Sequence, residues 1–125
     1  MSNSQTLVVK RTGITRVLYT CVHSFNGLKW MVKNEAAFQQ ELMLFIPLSI
    51  LAFYLDISLS HSLILVASLL FVLFAELVNT AIEVVIDRVS LAHHPMSGLA
   101  KDIGSSLVLI SMALTTLLWA AILWQ

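Results

Sequence analysis

The chain has few charged residues for its length of 125. Charged side chains make up 11% of the sequence and hydrophobic ones 58%, whereas soluble domains have about 25% and about 45–50%. A single domain of this length cannot bury so much apolar surface in water, so the composition predicts a lipid bilayer as its solvent. The formal net charge is zero and no basic tract occurs, which argues against nucleic acid as a partner.

Other absences exclude classes of chemistry. The single cysteine, Cys21, excludes an internal disulfide. None of the four glycines belongs to a GxxxxGK[ST] motif, which excludes a P-loop nucleotide site. The first 15 residues contain no apolar stretch, so we expect insertion into the membrane without a cleaved signal peptide.

Near the N-terminus, a polar segment is followed by an amphipathic one. Residues 1–12 are polar and mixed, and we expect them to form a tail. From about 14 to 32, apolar residues recur at spacings of three and four, with basic residues between them. This pattern is typical of an amphipathic helix that lies in the membrane interface. The alternative is an ordinary helix that faces a protein core.

Three apolar segments follow that are long enough to cross a bilayer, at about 36–55, 62–88 and 103–124. With three spans, all seven basic residues fall on one side of the membrane, because the turn between the first two segments has none. The positive-inside rule makes that side cytoplasmic. The sequence therefore predicts one all-α integral-membrane domain over residues 1–125, with its N-terminus in the cytoplasm.

A row of polar residues at the end of the second apolar segment is the strongest functional signal. On a continuous helix, Glu76, Thr80, Glu83 and Asp87 share one face, with Asn79 beside it. Ionisable groups near hydrocarbon depth are costly and usually functional. Paired carboxylates suit Mg²⁺, which keeps substrate phosphates in its shell, and a further carboxylate can accept a proton from an attacking hydroxyl. The row therefore favours phosphoryl transfer.

The row has two other interpretations. A polar seam between packed helices would have the same pattern, and Glu41 and Asp87 taken alone could be solvated helix ends. A proton or ion conduit would also need carboxylates within a span. The segment Leu63–Ala75 has no ionisable side chain, which argues against a path across the whole membrane.

Three sequence blocks occur in a specific order: Asn34–Phe38, the row Glu76–Asp87, and Gly98–Ser105. Together they resemble the prokaryotic diacylglycerol kinase family, small integral-membrane lipid kinases, over about residues 13–124. The resemblance implies a homotrimer, with an amphipathic surface helix and three transmembrane helices in each subunit and with active sites shared between neighbours. It also implies transfer of the γ-phosphate of MgATP to diacylglycerol at the cytoplasmic face of a bacterial inner membrane, as a step in phospholipid metabolism and lipid recycling.

The resemblance assigns roles by position. The catalytic positions are Glu76 as general base, Asn79, Lys101 and Asp102. The positions that hold Mg²⁺ are Glu35 and Glu83. The positions that contact the nucleotide are Arg16, His23, Glu35, Glu83, Ala92, His93, His94, Lys101 and Asp102. The positions on the lipid side are Ala37, Phe38, Gln39, Gln40, Glu41, Tyr54, Glu76, Ser105, Trp119 and Trp124.

The chain departs from the family pattern at four positions. Phe25 stands where better-known members have Trp, His23 where they have Tyr, and Gln39 and Leu99 where basic residues are usual. These changes leave the metal and base positions intact and fall on the headgroup and adenine contacts. An undecaprenol kinase of the same family is the alternative function. The chain length and the aromatic end at Trp119–Trp124 favour diacylglycerol.

Overall fold

The structure is a computed structural model that describes residues 11–125, so most of the expected tail at 1–12 lies outside it. The described chain is folded into helices α1 (Gly13–Asn34), α2 (Ala36–Tyr54), α3 (Leu59–Val89) and α4 (Pro95–Leu123). No strand occurs within these residues, which confirms the all-α prediction. The chain divides into two compact units between Glu35 and Ala36.

The first unit contains α1. Its apolar positions include Leu18, Val22 and Phe25, at the spacings of four and three that define one helical face. The helix ends at Asn34, whose side-chain nitrogen donates a hydrogen bond to the carbonyl of Trp30 at 2.9 Å. This bond lies within the last turn of α1.

The second unit contains three helices that are each long and apolar enough to cross a membrane, as the sequence predicted. α3 packs against both α2 and α4. Short connections make each of these pairs antiparallel. α3 has 31 residues, or about 46 Å at 1.5 Å per residue, whereas the hydrocarbon core is about 30 Å thick. One end of α3 therefore extends beyond hydrocarbon depth.

Local sequence signals set the ends of α3 and α4. Ser58 caps α3, because its hydroxyl oxygen accepts a hydrogen bond from the backbone N–H of His61 at 3.2 Å. Pro95 occupies the first turn of α4, where its fixed φ suits a helix and its missing N–H costs nothing. Consequently α4 begins at Pro95 rather than at residue 103, and it carries the whole Gly98–Ser105 block on a helix.

The apolar core lies toward the ends of α2 and α4 and the beginning of α3. Ala52, Leu65 and Ile122 form its buried centre, and Trp119 packs against them. The Ser62 hydroxyl donates a hydrogen bond to the carbonyl of Ala52 at 2.7 Å, which joins α2 to α3. The polar row therefore occupies the opposite half of the bundle from this core.

Candidate active site

The polar row on α3 passes from a buried environment to an exposed one along the helix. Glu76 and Thr80 are buried, with 6% and 4% of their surfaces exposed. Glu83 is partly buried and Asp87 is exposed. Burial of a carboxylate such as Glu76 is costly unless hydrogen bonds or a partner group offset it. Ionisable residues within an apolar helix of this kind are usually functional. The gradient arises because α2 and α4 cover the middle of α3 more completely than its C-terminal end.

Glu76 faces a second carboxylate from the neighbouring helix. The carboxyl group of Glu41 on α2 is close enough to that of Glu76 on α3 for the two to interact directly. Antiparallel packing brings them together, since α2 and α3 are joined by a short turn at residues 55–58. The sequence placed both residues on the lipid side of the site, and the structure brings them into contact.

Three polar atoms around Glu76 are buried without a hydrogen-bond partner among residues 11–125. They are Glu41 Oε2, Asn79 Oδ1 and Thr80 Oγ1. Buried polar atoms are nearly always paired in folded proteins, so these three atoms are available to a bound molecule, an ion or an ordered water. These atoms flank the buried carboxylate that the sequence predicted to be the base.

Asn79 lies against α4. Its side-chain oxygen points toward Gly104, which is buried. Since glycine has no Cβ, the backbone of α4 approaches α3 closely at this level. The sequence reasoning did not single out Gly104, although the residue belongs to the Gly98–Ser105 block.

A concavity lies at the exposed end of the polar row on α3. It has a volume of about 340 Å³ and is lined by the end of α3, the 90–94 loop and the beginning of α4. Lys101 Nζ donates a hydrogen bond to Asp87 Oδ1 at 3.0 Å across it. Predicted nucleotide-contacting residues also line it: Ala92, His93, His94, Lys101 and Asp102.

His94 has a structural role in this concavity. Its Nδ1 accepts a hydrogen bond from the backbone N–H of Met96 at 3.0 Å and so caps α4. Nδ1 must therefore be unprotonated, and only Nε2 remains to meet a ligand. His93 and His94 lie in the loop before α4. They were predicted from the sequence only to contact the nucleotide, and the cap was missed.

The other predicted site residues are spread along the helices. Arg16 and His23 lie in α1, and Glu35 follows it. The predicted lipid-side residues 37–40 form the first turns of α2, and Ser105 is exposed on α4. Three aromatic residues of the predicted lipid side lie at or near the C-terminal ends of α2 and α4: Tyr54, Trp119 and Trp124. This is the opposite end of the bundle from Glu76.

The donor set suits a magnesium ion that arrives with a nucleotide. Within residues 11–125, no three His, Cys, Asp or Glu side chains form a cluster that could hold a metal ion by themselves. Mg²⁺ is usually bound by one or two carboxylates together with substrate phosphates and water. Glu83, which is partly buried two helical turns beyond Glu76 on α3, is a carboxylate that could serve in this way.

An apolar groove beside Glu41 was not found by sequence reasoning. It has a volume of about 280 Å³ and lies between α2, α3 and α4. Leu44, Phe45 and Leu48 line one wall, Leu73 another and Met112 the third. No sequence signal could have found it, because residues that line a groove and residues that face lipid have the same composition.

Comparison with known proteins identifies relatives that match most of the chain. A model of the prokaryotic diacylglycerol kinase family matches residues 22–123. Diacylglycerol kinase of Escherichia coli (strain K12) is 37% identical over 114 residues, which are 91% of this chain and 93% of that protein. Diacylglycerol kinase of Pseudomonas aeruginosa is 40% identical over 113 residues, or 90% and 92% of the two chains. That of Haemophilus influenzae is 37% identical over 115 residues, or 92% and 98%.

Proposed function

The chain belongs to the prokaryotic diacylglycerol kinase family, and from that membership we propose that it transfers the γ-phosphate of ATP to the free hydroxyl of diacylglycerol, forming phosphatidic acid. The observation that carries this proposal is the buried Glu76 with unpaired polar atoms around it, in a helix apolar enough to span a membrane. A carboxylate at this depth is placed to meet a hydroxyl group that remains in the lipid.

Glu76 is the proposed general base. As the hydroxyl oxygen attacks the γ-phosphorus, its proton passes to the Glu76 carboxylate, and the bond from phosphorus to the β,γ-bridging oxygen of ATP breaks. Burial strengthens the interactions inside the site and keeps water away from the phosphoryl group. Exclusion of water matters here because water is a competing acceptor.

The nucleotide side of the site is proposed to lie toward the exposed end of α3. Glu83 follows Glu76 by two helical turns, or about 10 Å along the axis. Glu83 would hold Mg²⁺ there, and the family resemblance assigns Glu35 as the other metal ligand. When bound there, the ion neutralises charge on the phosphate oxygens. Lys101 supplies further positive charge, and Asn79 and Asp102 are the remaining polar residues of the proposed reaction centre.

The lipid acceptor is proposed to enter along the apolar groove between α2, α3 and α4. Glu41 lies at the polar end of this groove and faces Glu76. An acyl chain in the groove would contact residues such as Leu44 and Leu48, so that the glycerol hydroxyl is held near the base. The remaining lipid-side residues predicted from the sequence, including Gln39 and Ser105, are proposed to contact the headgroup.

The cellular setting is also part of the proposal. The three spanning helices make the chain a membrane protein, and its named relatives are bacterial. We place the active site at the cytoplasmic face of the inner membrane, because all seven basic residues fall on that side of a three-span topology. A homotrimer with shared active sites is the proposed assembly, and it rests on the family resemblance.

Transfer of label from γ-labelled ATP to extracted lipid tests the function. The purified chain in mixed micelles is given diacylglycerol, undecaprenol or both, and the labelled products are separated. We expect labelled phosphatidic acid as the main product when both acceptors are present. Preferential labelling of undecaprenol would replace the proposed acceptor, and absence of labelled lipid with either one would overturn the kinase proposal.

A further inference from the structure

Asp87 is the residue of the polar row to which the proposed mechanism gives no task. It lies in the last turn of α3, eleven residues beyond Glu76. Its side chain accepts a hydrogen bond from Lys101 Nζ at 3.0 Å, and the two side chains are 49% and 43% exposed. Both residues line the concavity of about 340 Å³ at the exposed end of the row.

Helix stability does not explain an aspartate at this place. The C-terminal end of a helix carries partial negative charge, so a carboxylate there is unfavourable and a cation is preferred. Arg88 in the same turn meets that preference. The ion pair instead joins α3 to the second turn of α4 across the 90–94 loop, where the concavity opens.

Lysine has a long side chain with many rotamers, which makes an unrestrained Lys101 a poor phosphate ligand. Its ammonium group is a point charge on a four-carbon stem, and the stem loses conformational freedom when the group binds. A carboxylate that already holds the ammonium in the concavity reduces this loss. The 3.0 Å contact is therefore useful before any ligand arrives.

We propose that Asp87 is a positioning residue, which holds Lys101 in the concavity at the end of α3 so that its ammonium group meets the phosphates of ATP. The inference rests on the proposed function in one respect, the binding of ATP near Lys101. Asp87 itself touches neither substrate. Its effect is on nucleotide affinity, exerted through Lys101.

Equilibrium titration with MgATP, in the absence of lipid, is the primary test. We expect Asp87→Ala to weaken MgATP binding about three- to fivefold, which is the range that a half-exposed ion pair supports. KM for MgATP should rise by the same factor and kcat should stay within about twofold. Asp87→Glu, which keeps the carboxylate, should restore both constants to near the wild-type values.

A double-mutant cycle separates positioning from a general charge effect. Removal of a negative charge near a polyphosphate should by itself tighten binding, most strongly at low salt. In the Lys101→Met background only this effect remains, so we expect Asp87→Ala to leave MgATP binding unchanged or slightly tighter. Equal weakening of binding in both backgrounds would overturn the proposal, because Asp87 would then act without Lys101.

Asp56→Ala is the matched control. Asp56 is an exposed aspartate in the turn before α3, at the opposite end of that helix. The Asp56→Ala variant should leave MgATP binding unchanged. A comparable loss of MgATP affinity in this variant would show that the effect of Asp87→Ala is not local. Wild-type affinity in Asp87→Ala would likewise refute the proposal. Failure of the wild-type chain to phosphorylate lipid would refute the proposed function, while the titration would still measure the Asp87–Lys101 coupling.

Discussion

Gly104 on α4 lies so close to Asn79 on α3 that a β-carbon at residue 104 would come within 2.6 Å of the Asn79 side-chain oxygen. A β-carbon essentially never comes within 3.0 Å of such an atom, so one of the two groups would have to move. The Asn79 oxygen is already buried without a hydrogen bond among the described residues. Gly104 therefore sets the position of a proposed catalytic side chain from a neighbouring helix.

Gly104→Ala should reduce turnover by displacing the Asn79 side chain. We expect kcat to fall at least tenfold and the free energy of unfolding to fall by about 1–3 kcal/mol, the usual cost of overpacking. Thermal unfolding in detergent micelles and lipid phosphorylation measure the two effects. In an Asn79→Ala background the same substitution should cost much less stability, because the clashing oxygen is gone.

Gly98→Ala provides the stability control for this experiment. An added β-carbon at Gly98 meets nothing within 4 Å, although the residue lies on the same helix. Alanine is favoured over glycine in helices by about 0.5–1 kcal/mol, so this variant should be as stable as the wild type or more so. Equal losses in both glycine variants would contradict the role given to the Asn79 contact.

Glu76→Gln should abolish most of the lipid phosphorylation while leaving the fold intact. The amide has the same shape as the carboxylate and cannot accept the proton of the attacking hydroxyl. General bases contribute about 10²- to 10⁴-fold, so kcat should fall by a factor in that range with little change in KM for ATP. An active Glu76→Gln variant would refute the assignment of the base.

Glu41→Gln tests whether the neighbouring carboxyl takes part in that role. Glu41 faces Glu76 at the polar end of the apolar groove. Loss of this carboxyl changes the surroundings of the base and of the lipid headgroup, without changing the nucleotide side. We expect kcat to fall by about tenfold or more and KM for MgATP to stay within about twofold, as measured by label transfer. A change confined to KM for MgATP would contradict the proposed position of the lipid.

His94 allows helix capping and nucleotide contact to be measured separately. His94→Ala removes the hydrogen bond to the N–H of Met96, and loss of such a cap costs about 0.5–2 kcal/mol of stability. His94→Asn retains a side-chain acceptor that can cap and should restore the unfolding temperature. If the imidazole also contacts ATP, His94→Asn should still have a raised KM for ATP. Recovery of both properties would limit His94 to capping.

Ser68 connects α3 to α4 within the spanning region. Its hydroxyl accepts a hydrogen bond from Trp119 Nε1 at 3.2 Å, so Ser68→Ala leaves the indole N–H without this partner. Such interhelical bonds are worth about 0.6 kcal/mol on average in membrane proteins, with a maximum near about 1.7. We expect a destabilisation in this range by thermal unfolding. Ser106→Ala, which removes a bond only within α4, should have a smaller effect.

Particular residues explain how much of the fold could be predicted. Apolar length alone identifies the three spans, because a bilayer requires about 20 apolar residues whatever surrounds them. The beginning of α4 at Pro95 could not be predicted from apolar length, because its first turns are polar and the third apolar segment starts only at about residue 103. The structure shows that this stretch is helical and that His94 caps it.

The candidate site likewise has some features that the sequence predicts and others that only the structure shows. Periodicity places Glu76, Thr80 and Glu83 on one face of a helix, because helical geometry is local. Contact between Glu41 and Glu76, and between Asp87 and Lys101, depends on how α2 and α4 lie against α3. No spacing in the sequence contains that information.

The sequence by itself determined that the chain has three segments apolar enough to cross a membrane and carries a row of carboxylates on one face of a helix. These properties depend on composition and on the 3.6-residue period, which act residue by residue. Tertiary structure alone decided which atoms of that row are buried, which face a second carboxylate and which are held by a lysine. Those properties arise from side chains distant in sequence, and only the packing of one helix against another brings such side chains within reach.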